Sequence, residues 1–134
     1  DNIDCDFYGF QNKEPIWGNE FYQALNNSKM GLNLSRGLPT KYYTSNRIAS
    51  LMGNGLLTFI DKKTQLDDMF SKNEVIMYNN VNDLTDKIYF YKKNDKLRRK
   101  IGSAGRIKYF KLFSELKISN YIINKSLGKK AILY

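Results

Sequence analysis

The chain has 134 residues, 42% of them hydrophobic, with a net charge of +9, one cysteine and no histidine. That length makes one domain with a core of ordinary size, and the missing histidine excludes His-based acid–base catalysis, Ser-His-Asp triads and nearly every zinc site. Chemistry is left to carboxylates, Lys, Arg, Tyr, hydroxyls and backbone amides, while the lone Cys5 fits a reducing compartment and permits no internal disulfide.

In chain order, IDCDFY at residues 3–8 predicts a strand reaching Gly9, followed by the turn-rich loop QNKEPIWG. Residues 19–28 predict a helix, on the spacing of Phe21, Ala24 and Leu25. Residues 30–34, MGLNL, read as a short apolar strand, and Gly37 and Pro39 break the loop after it. Thr44 or Ser45 caps the next helix, whose apolar face holds Ile48, Leu51 and Met52. Gly53 and Gly55 end it, and residues 56–60 form a near-continuous apolar strand of the kind buried on both faces. TQLDDMFS predicts a short helix and residues 74–78 another strand. Asn82 caps a helix carrying Leu84, Ile88 and Tyr91. A long helix over about 95–114 has the stripe Leu97, Ile101, Ala104, Ile107, Phe110 and Phe113. A last helix, about 116–127, carries Leu116, Ile122, Ile123 and Leu127 and ends at Gly128 before a basic tail.

Strands alternating with helices imply an α/β domain with about four parallel strands and helices on both faces, the C-terminal helices packing last. No apolar run is long enough to span a membrane, and no signal-peptide pattern opens the chain. It begins at Asp1 without an initiator Met, so a piece of a longer polypeptide or a processed product is expected.

The charge is uneven. Residues 1–91 carry 9 basic and 11 acidic side chains, net −2; residues 92–134 carry 13 basic and 2 acidic, net +11. One reading is a surface for nucleic acid or an anionic membrane. The other is a solvated, lysine-coated face, in keeping with 17 Lys against 5 Arg.

In open parallel sheets, ligands bind outside the carboxyl ends of the strands. Three loops lie there: Gly9 to Trp17, Ser35 to Asn46, and the one beginning at Asp61. The middle loop holds Arg36, Lys41, Thr44, Ser45 and Asn46 and leads to Arg47 at a helix N-terminus, where free N–H groups and the helix dipole favour an anion. Hydroxyls and a guanidinium fork add direct contacts to a phosphate or diphosphate. Alternatively, Ser45 only caps the helix and Arg47 lies on the surface. Trp17 and Tyr22 could stack on a base or pack in a core or domain interface, and Glu74 could touch a nucleotide or simply begin a strand.

The segments FYQALNNSKMGLNLSRG, TSNRIASLMGNGLLTFID and NEVIMYNNVNDLTDKIYFYKKNDKLRRKIGSAGR together resemble group 1 glycosyltransferases of the two-domain GT-B fold, within them the CgeB-like subset. The likeness covers about residues 8–115 and rests on the order and spacing of Asn26, Ser28, Lys29, Asn33, Ser45, Asn46, Arg47, Gly55, Asp61, Glu74, Tyr78, Arg98, Ile101, Gly105 and Arg106. It implies a Rossmann-like C-terminal half that holds a nucleotide-sugar donor, with an N-terminal acceptor half of the same chain as its missing partner. It implies substrate contacts from Ser45, Asn46, Arg47, Asp61 and Glu74, to which the loop reading adds Arg36 and Lys41; it names no catalytic residue and calls for neither metal nor cofactor. Many relatives carry two glutamates eight positions apart; Tyr42 and Ser50 stand at those positions here, with Asp67 or Asp68 as a candidate substitute. The expected location is the cytoplasm, with peripheral contact at the inner face of the membrane, and the isolated piece is expected to be inactive. A non-catalytic nucleotide or sugar-phosphate binding module is the first competing reading. A basic nucleic-acid-binding domain is the second, disfavoured because packing explains the helical stripe and no RNA-binding signature appears.

Overall fold

The computed structural model describes residues 3, 5–10, 12–35 and 37–132. Its centre is a sheet of three parallel strands: β1 (Met30–Asn33), β2 (Leu57–Asp61) and β3 (Ile76–Tyr78), in the order β1-β2-β3. Asn33 pairs with Ile60, and Asp61 with Tyr78, so the carboxyl ends of the strands are nearly level. The helices are α1 (Gly18–Asn27), α2 (Asn46–Gly53), α3 (Val81–Lys93), α4 (Asp95–Phe113) and α5 (Glu115–Ser126). None of them is long and apolar enough to cross a membrane among the described residues.

Alternation along β2 sends its residues to opposite faces. Leu57 and Phe59 meet Ile76, Tyr78 and Ile101, with Leu84, Ile88 and Tyr91 of α3 packed against them. Ile60 meets Ile48 and Met52 of α2, Leu66, Phe70 and Val75, with Tyr109, Leu112 and Phe113 of α4 at the border. Both faces are thus covered, as a parallel sheet requires, and the α3 face of Leu84, Ile88 and Tyr91 is the one the spacing predicts.

The order of elements is α/β as expected, but four parallel strands are not. Residues 3 and 5–10 form no strand; residues 1, 2 and 4 lie outside the described residues. Gly9 turns the chain at φ +71°, its N–H donating to Glu14 O, and Phe7, Tyr8 and Phe10 are exposed, so this segment has no ladder to join. The short helix expected over TQLDDMFS is instead two 3₁₀ turns, Lys62–Thr64 and Leu66–Asp68. Gln65 between them stands in the left-handed region at φ +52°, which stops one helix from running through. The cap of α3 is Asn80, whose side chain accepts from Asp83 N at 3.0 Å, and Asn82 lies inside the helix.

Helix α4 explains the packing best. Its buried line is Arg98, Ile101, Gly102 and Gly105, while Ile107 of the predicted stripe is 72% exposed and Leu97 and Phe110 face solvent too. The helix lies across the amino ends of all three strands. Arg98 Nη1 donates to Lys29 O, just before β1, at 2.8 Å. A Cβ on Gly102 would collide with the carbonyl oxygen of Gly55, just before β2. A Cβ on Gly105 would collide with that of Glu74, just before β3. The contact is helix against backbone, so glycine, not apolar bulk, marks it.

Gly55 serves a second purpose. At φ +75° it ends α2, with its own N–H on Met52 O at 2.9 Å and Leu56 N on Leu51 O at 3.0 Å. That is the paired closure of a Schellman turn, and it feeds the chain directly into β2.

On β3's outer side, Lys87 of α3 donates to Met77 O at 2.8 Å, blunting the free edge. The same ammonium pairs with Asp83, which also accepts from Asn79 N at 2.8 Å. The Lys87 hydrogen bond, then that of the Asn79 N–H, holds the Asp83 carboxyl below its ordinary value. A depressed folded-state pKa contributes stability above the unfolded value and loses it as pH falls through the folded one. Asp83→Asn is therefore expected to flatten the acid limb of the stability curve, read by urea unfolding from neutral pH downward; parallel curves would refute it.

Candidate functional site

The site is built at the carboxyl edge of the sheet, where β1 gives way to the loop that starts α2. β1 closes on Asn33, which is 2% exposed although polar. Its Oδ1 accepts from Ser45 Oγ at 3.2 Å, and Ser45 Oγ in turn accepts from Arg47 N at 3.3 Å. Ser45 thus caps α2 and ties the helix start to the end of β1. Arg47 Nη1 donates to Leu34 O at 2.8 Å, while the residue as a whole stays exposed. A guanidinium has five N–H donors in a fixed fork, so this tie fixes its position without exhausting it. Ser35 Oγ, in the same stretch, is buried without a hydrogen-bond partner among the described residues.

A second strip of contacts joins this loop to the one after β2. Tyr42 stands at φ +59°, left-handed for a bulky side chain. Its N–H donates to Thr64 O and its hydroxyl to Asp68 Oδ2, both at 2.7 Å. The Asp68 carboxylate, through that hydrogen bond first, raises the phenol pKa above its ordinary value. The Lys41 ammonium sits 4.8 Å from the Tyr42 ring centroid. Asp61 ends β2 with its carboxylate on Lys63 N at 2.9 Å. Tyr78, its partner at the end of β3, has its phenol pushed up by burial and then by the Asp61 charge.

Ser45, Asn46 and Arg47 lie together at the start of α2, with Lys41 earlier in the same loop and Asp61 across it at the end of β2. Arg36 lies outside the described residues. Glu74 is not brought to this edge: it precedes β3 at the amino end, where its Oε2 accepts from Ser71 N at 2.7 Å. Trp17 is 77% exposed at the start of α1. Sequence reasoning missed the parts played by Asn33, Ser35 and the Tyr42–Asp68 pair. A polar Asn closing the run MGLN was the available signal for Asn33; nothing local pairs residues 26 positions apart. Among the described residues no three His, Cys, Asp or Glu gather to hold a metal. Two surface hollows, of about 520 Å³ at the α3–α4 junction and about 360 Å³ between α5 and the tail, are lined by other residues.

A parallel sheet with helices on both faces and a capped helix start beside its carboxyl edge defines a mixed α/β domain compatible with the Rossmann-like class. The chain belongs to the glycosyl transferase-like family, whose model matches residues 2–114. That membership supports a glycosyltransferase-type function. No curated protein matches the chain, and no solved structure does either.

Proposed function

We propose that this chain is the nucleotide-sugar donor-binding domain of a GT-B glycosyltransferase of the CgeB-like subset, acting with an acceptor-binding half on the amino side. The observation that carries the reading is the start of α2, where Ser45 and Arg47 are tied to the end of β1 beside the orphaned Ser35 hydroxyl. In glycosyl transfer the bond from the anomeric carbon to the diphosphate breaks, and negative charge grows on the leaving phosphate. A fixed guanidinium and a helix N-terminus stabilise that charge without moving a proton, which suits a chain with no histidine. Lys41 adds a cation to the same loop and Asn46 an amide. Asp68 accepts from the Tyr42 hydroxyl and so takes part in the shape of the loop.

The test is an amide NMR titration with UDP, GDP, CDP and dTDP at moderate salt. Shifts confined to the loop before α2 and the turn after Asp61, for one base, are expected. In Arg47→Ala, affinity should fall by about 1.5 kcal/mol, roughly tenfold, the lower range for a charged hydrogen bond because the site is exposed. Unchanged affinity in the folded variant would remove Arg47 from the role. No shift with any nucleotide, with shifts over residues 92–130 on adding an oligonucleotide, would favour the nucleic-acid reading.

A further inference from the structure

Granted the donor-binding reading above, on which this role rests, we propose that Tyr42 and Asp68 are positioning residues: their contact clasps the loop before α2 onto the turn after β2 and so fixes Lys41 as a cation for the donor's diphosphate. The loop is tied at its two ends, through Arg47 to Leu34 O and through Ser45 to Asn33. Between those ends, among the described residues, every hydrogen bond to another element comes from Tyr42: its N–H reaches Thr64 O and its hydroxyl reaches Asp68 Oδ2. What it reaches is fixed. Thr64 is 1% exposed, with its hydroxyl donating to Asp61 O at 2.7 Å, and Leu66 and Phe70 of the same stretch are buried in the core. The loop has no such anchor of its own. Its leucine, Leu38, is 89% exposed, so Tyr42 and not a buried aliphatic side chain holds the middle of the loop.

The residue type points the same way. At φ +59° glycine would suit the backbone best, and a bulky side chain there is strained. Tyrosine stands at the position against that preference, and what it brings is the hydroxyl on Asp68. The same ring carries the Lys41 ammonium, 4.8 Å from its centroid. Lys41 pairs with no carboxylate among the described residues, so its charge is left for a ligand. With its hydroxyl held at one end and its main chain at the other, the ring cannot turn away, and the ammonium over it stays in place. A lysine stem left free would spread its charge over many rotamers and lose that freedom on binding.

The experiment compares the 134-residue chain with Asp68→Ala and Asp68→Asn, in affinity for UDP, GDP, CDP and dTDP and in cleavage by trypsin after Lys41. Asp68 is exposed, so both variants should keep the fold. Removing a carboxylate beside an anion site would by charge alone tighten binding; loss of the clasp predicts the opposite. Asp68→Ala should therefore weaken binding of the nucleotide that the parent selects by about fivefold, in the range of one hydrogen bond. Asp68→Asn keeps an acceptor for the Tyr42 hydroxyl and should bind at least as well as the parent. In a Lys41→Ala background, Asp68→Ala should cost nothing more, because it acts through that lysine. Trypsin tests the clasp without nucleotide. The bond it cuts, between Lys41 and Tyr42, is the one whose N–H is held on Thr64 O, so Asp68→Ala should be cut faster and Asp68→Asn at the parent rate. Equal or tighter nucleotide binding by Asp68→Ala, an undiminished loss in the Lys41→Ala background, or unchanged cleavage would each overturn the proposal. If the parent binds none of the four nucleotides, the donor reading fails and the role of Lys41 falls with it. If the parent binds and Asp68→Ala binds equally, the clasp alone is removed and the donor reading stands.

Discussion

Gly105→Ala is expected to destabilise the fold by about 3 kcal/mol, the upper range for overpacking a well-filled contact. The direction is informative because intrinsic helix propensity favours alanine over glycine by about 1 kcal/mol. An exposed helix position would gain from the change; this one has no room for it. The added Cβ meets the carbonyl oxygen of Glu74, with the Met52 methyl only 3.3 Å away. Backbone cannot turn aside as a side chain can, so α4 must lift from the sheet. Gly102→Ala should behave alike through the carbonyl of Gly55. Ser103→Ala, exposed on the same helix, should stay within about 0.5 kcal/mol of the parent. Urea unfolding of the three variants decides the matter. If Gly105→Ala proves neutral or stabilising, α4 does not rest on the amino ends of the strands.

These glycines show why some of the fold was legible and some was not. β2 was plain because an apolar run of that length bounded by glycines has few other uses. Helix α2 was plain because Ser45 and the glycine closure mark both its ends. Helix α4 was legible in part: of its apolar stripe, Ile101 is buried and Phe113 packs against the core, while Leu97, Ile107 and Phe110 are exposed. Apolar spacing marks where side chains meet side chains. This helix also meets peptide carbonyls, so its buried line adds Arg98, Gly102 and Gly105 to Ile101. Residues 3–8 failed for another reason: alternation gives strand propensity, but a strand exists only with a ladder partner. At the site, Ser45 and Arg47 were legible because a cap and a basic residue at a helix start are local signals. The Tyr42–Asp68 contact was not, because it depends on two loops meeting across the sheet edge. Glu74 belonged to a recognisable pattern, yet the structure puts it before β3, on the far edge from Arg47.

Arg98→Met is the second large effect, expected to cost about 2–3 kcal/mol, the worth of a charged hydrogen bond together with some lost packing. Arg98 is only 8% exposed. One terminal nitrogen donates to Lys29 O and the other pairs with Asp95, so a single side chain closes the junction of α1, β1 and α4. Methionine keeps the apolar stem but gives Lys29 O no donor. Arg98→Lys should recover only part of the loss, because one ammonium lacks the planar fork that reaches both partners. The pH dependence separates the two contacts. Arg98 holds the Asp95 carboxyl below its ordinary value, chiefly by the hydrogen bond. The contribution of that pair is present above the unfolded carboxylate pKa and disappears as pH falls through the lowered folded value. Asp95 is half exposed, so this part is the smaller one. The deficit of Arg98→Met should therefore shrink in acid without vanishing, and what persists is the carbonyl contact that anchors α4 at the start of β1. A deficit that disappears entirely in acid would assign the whole effect to Asp95 and leave the helix without that anchor.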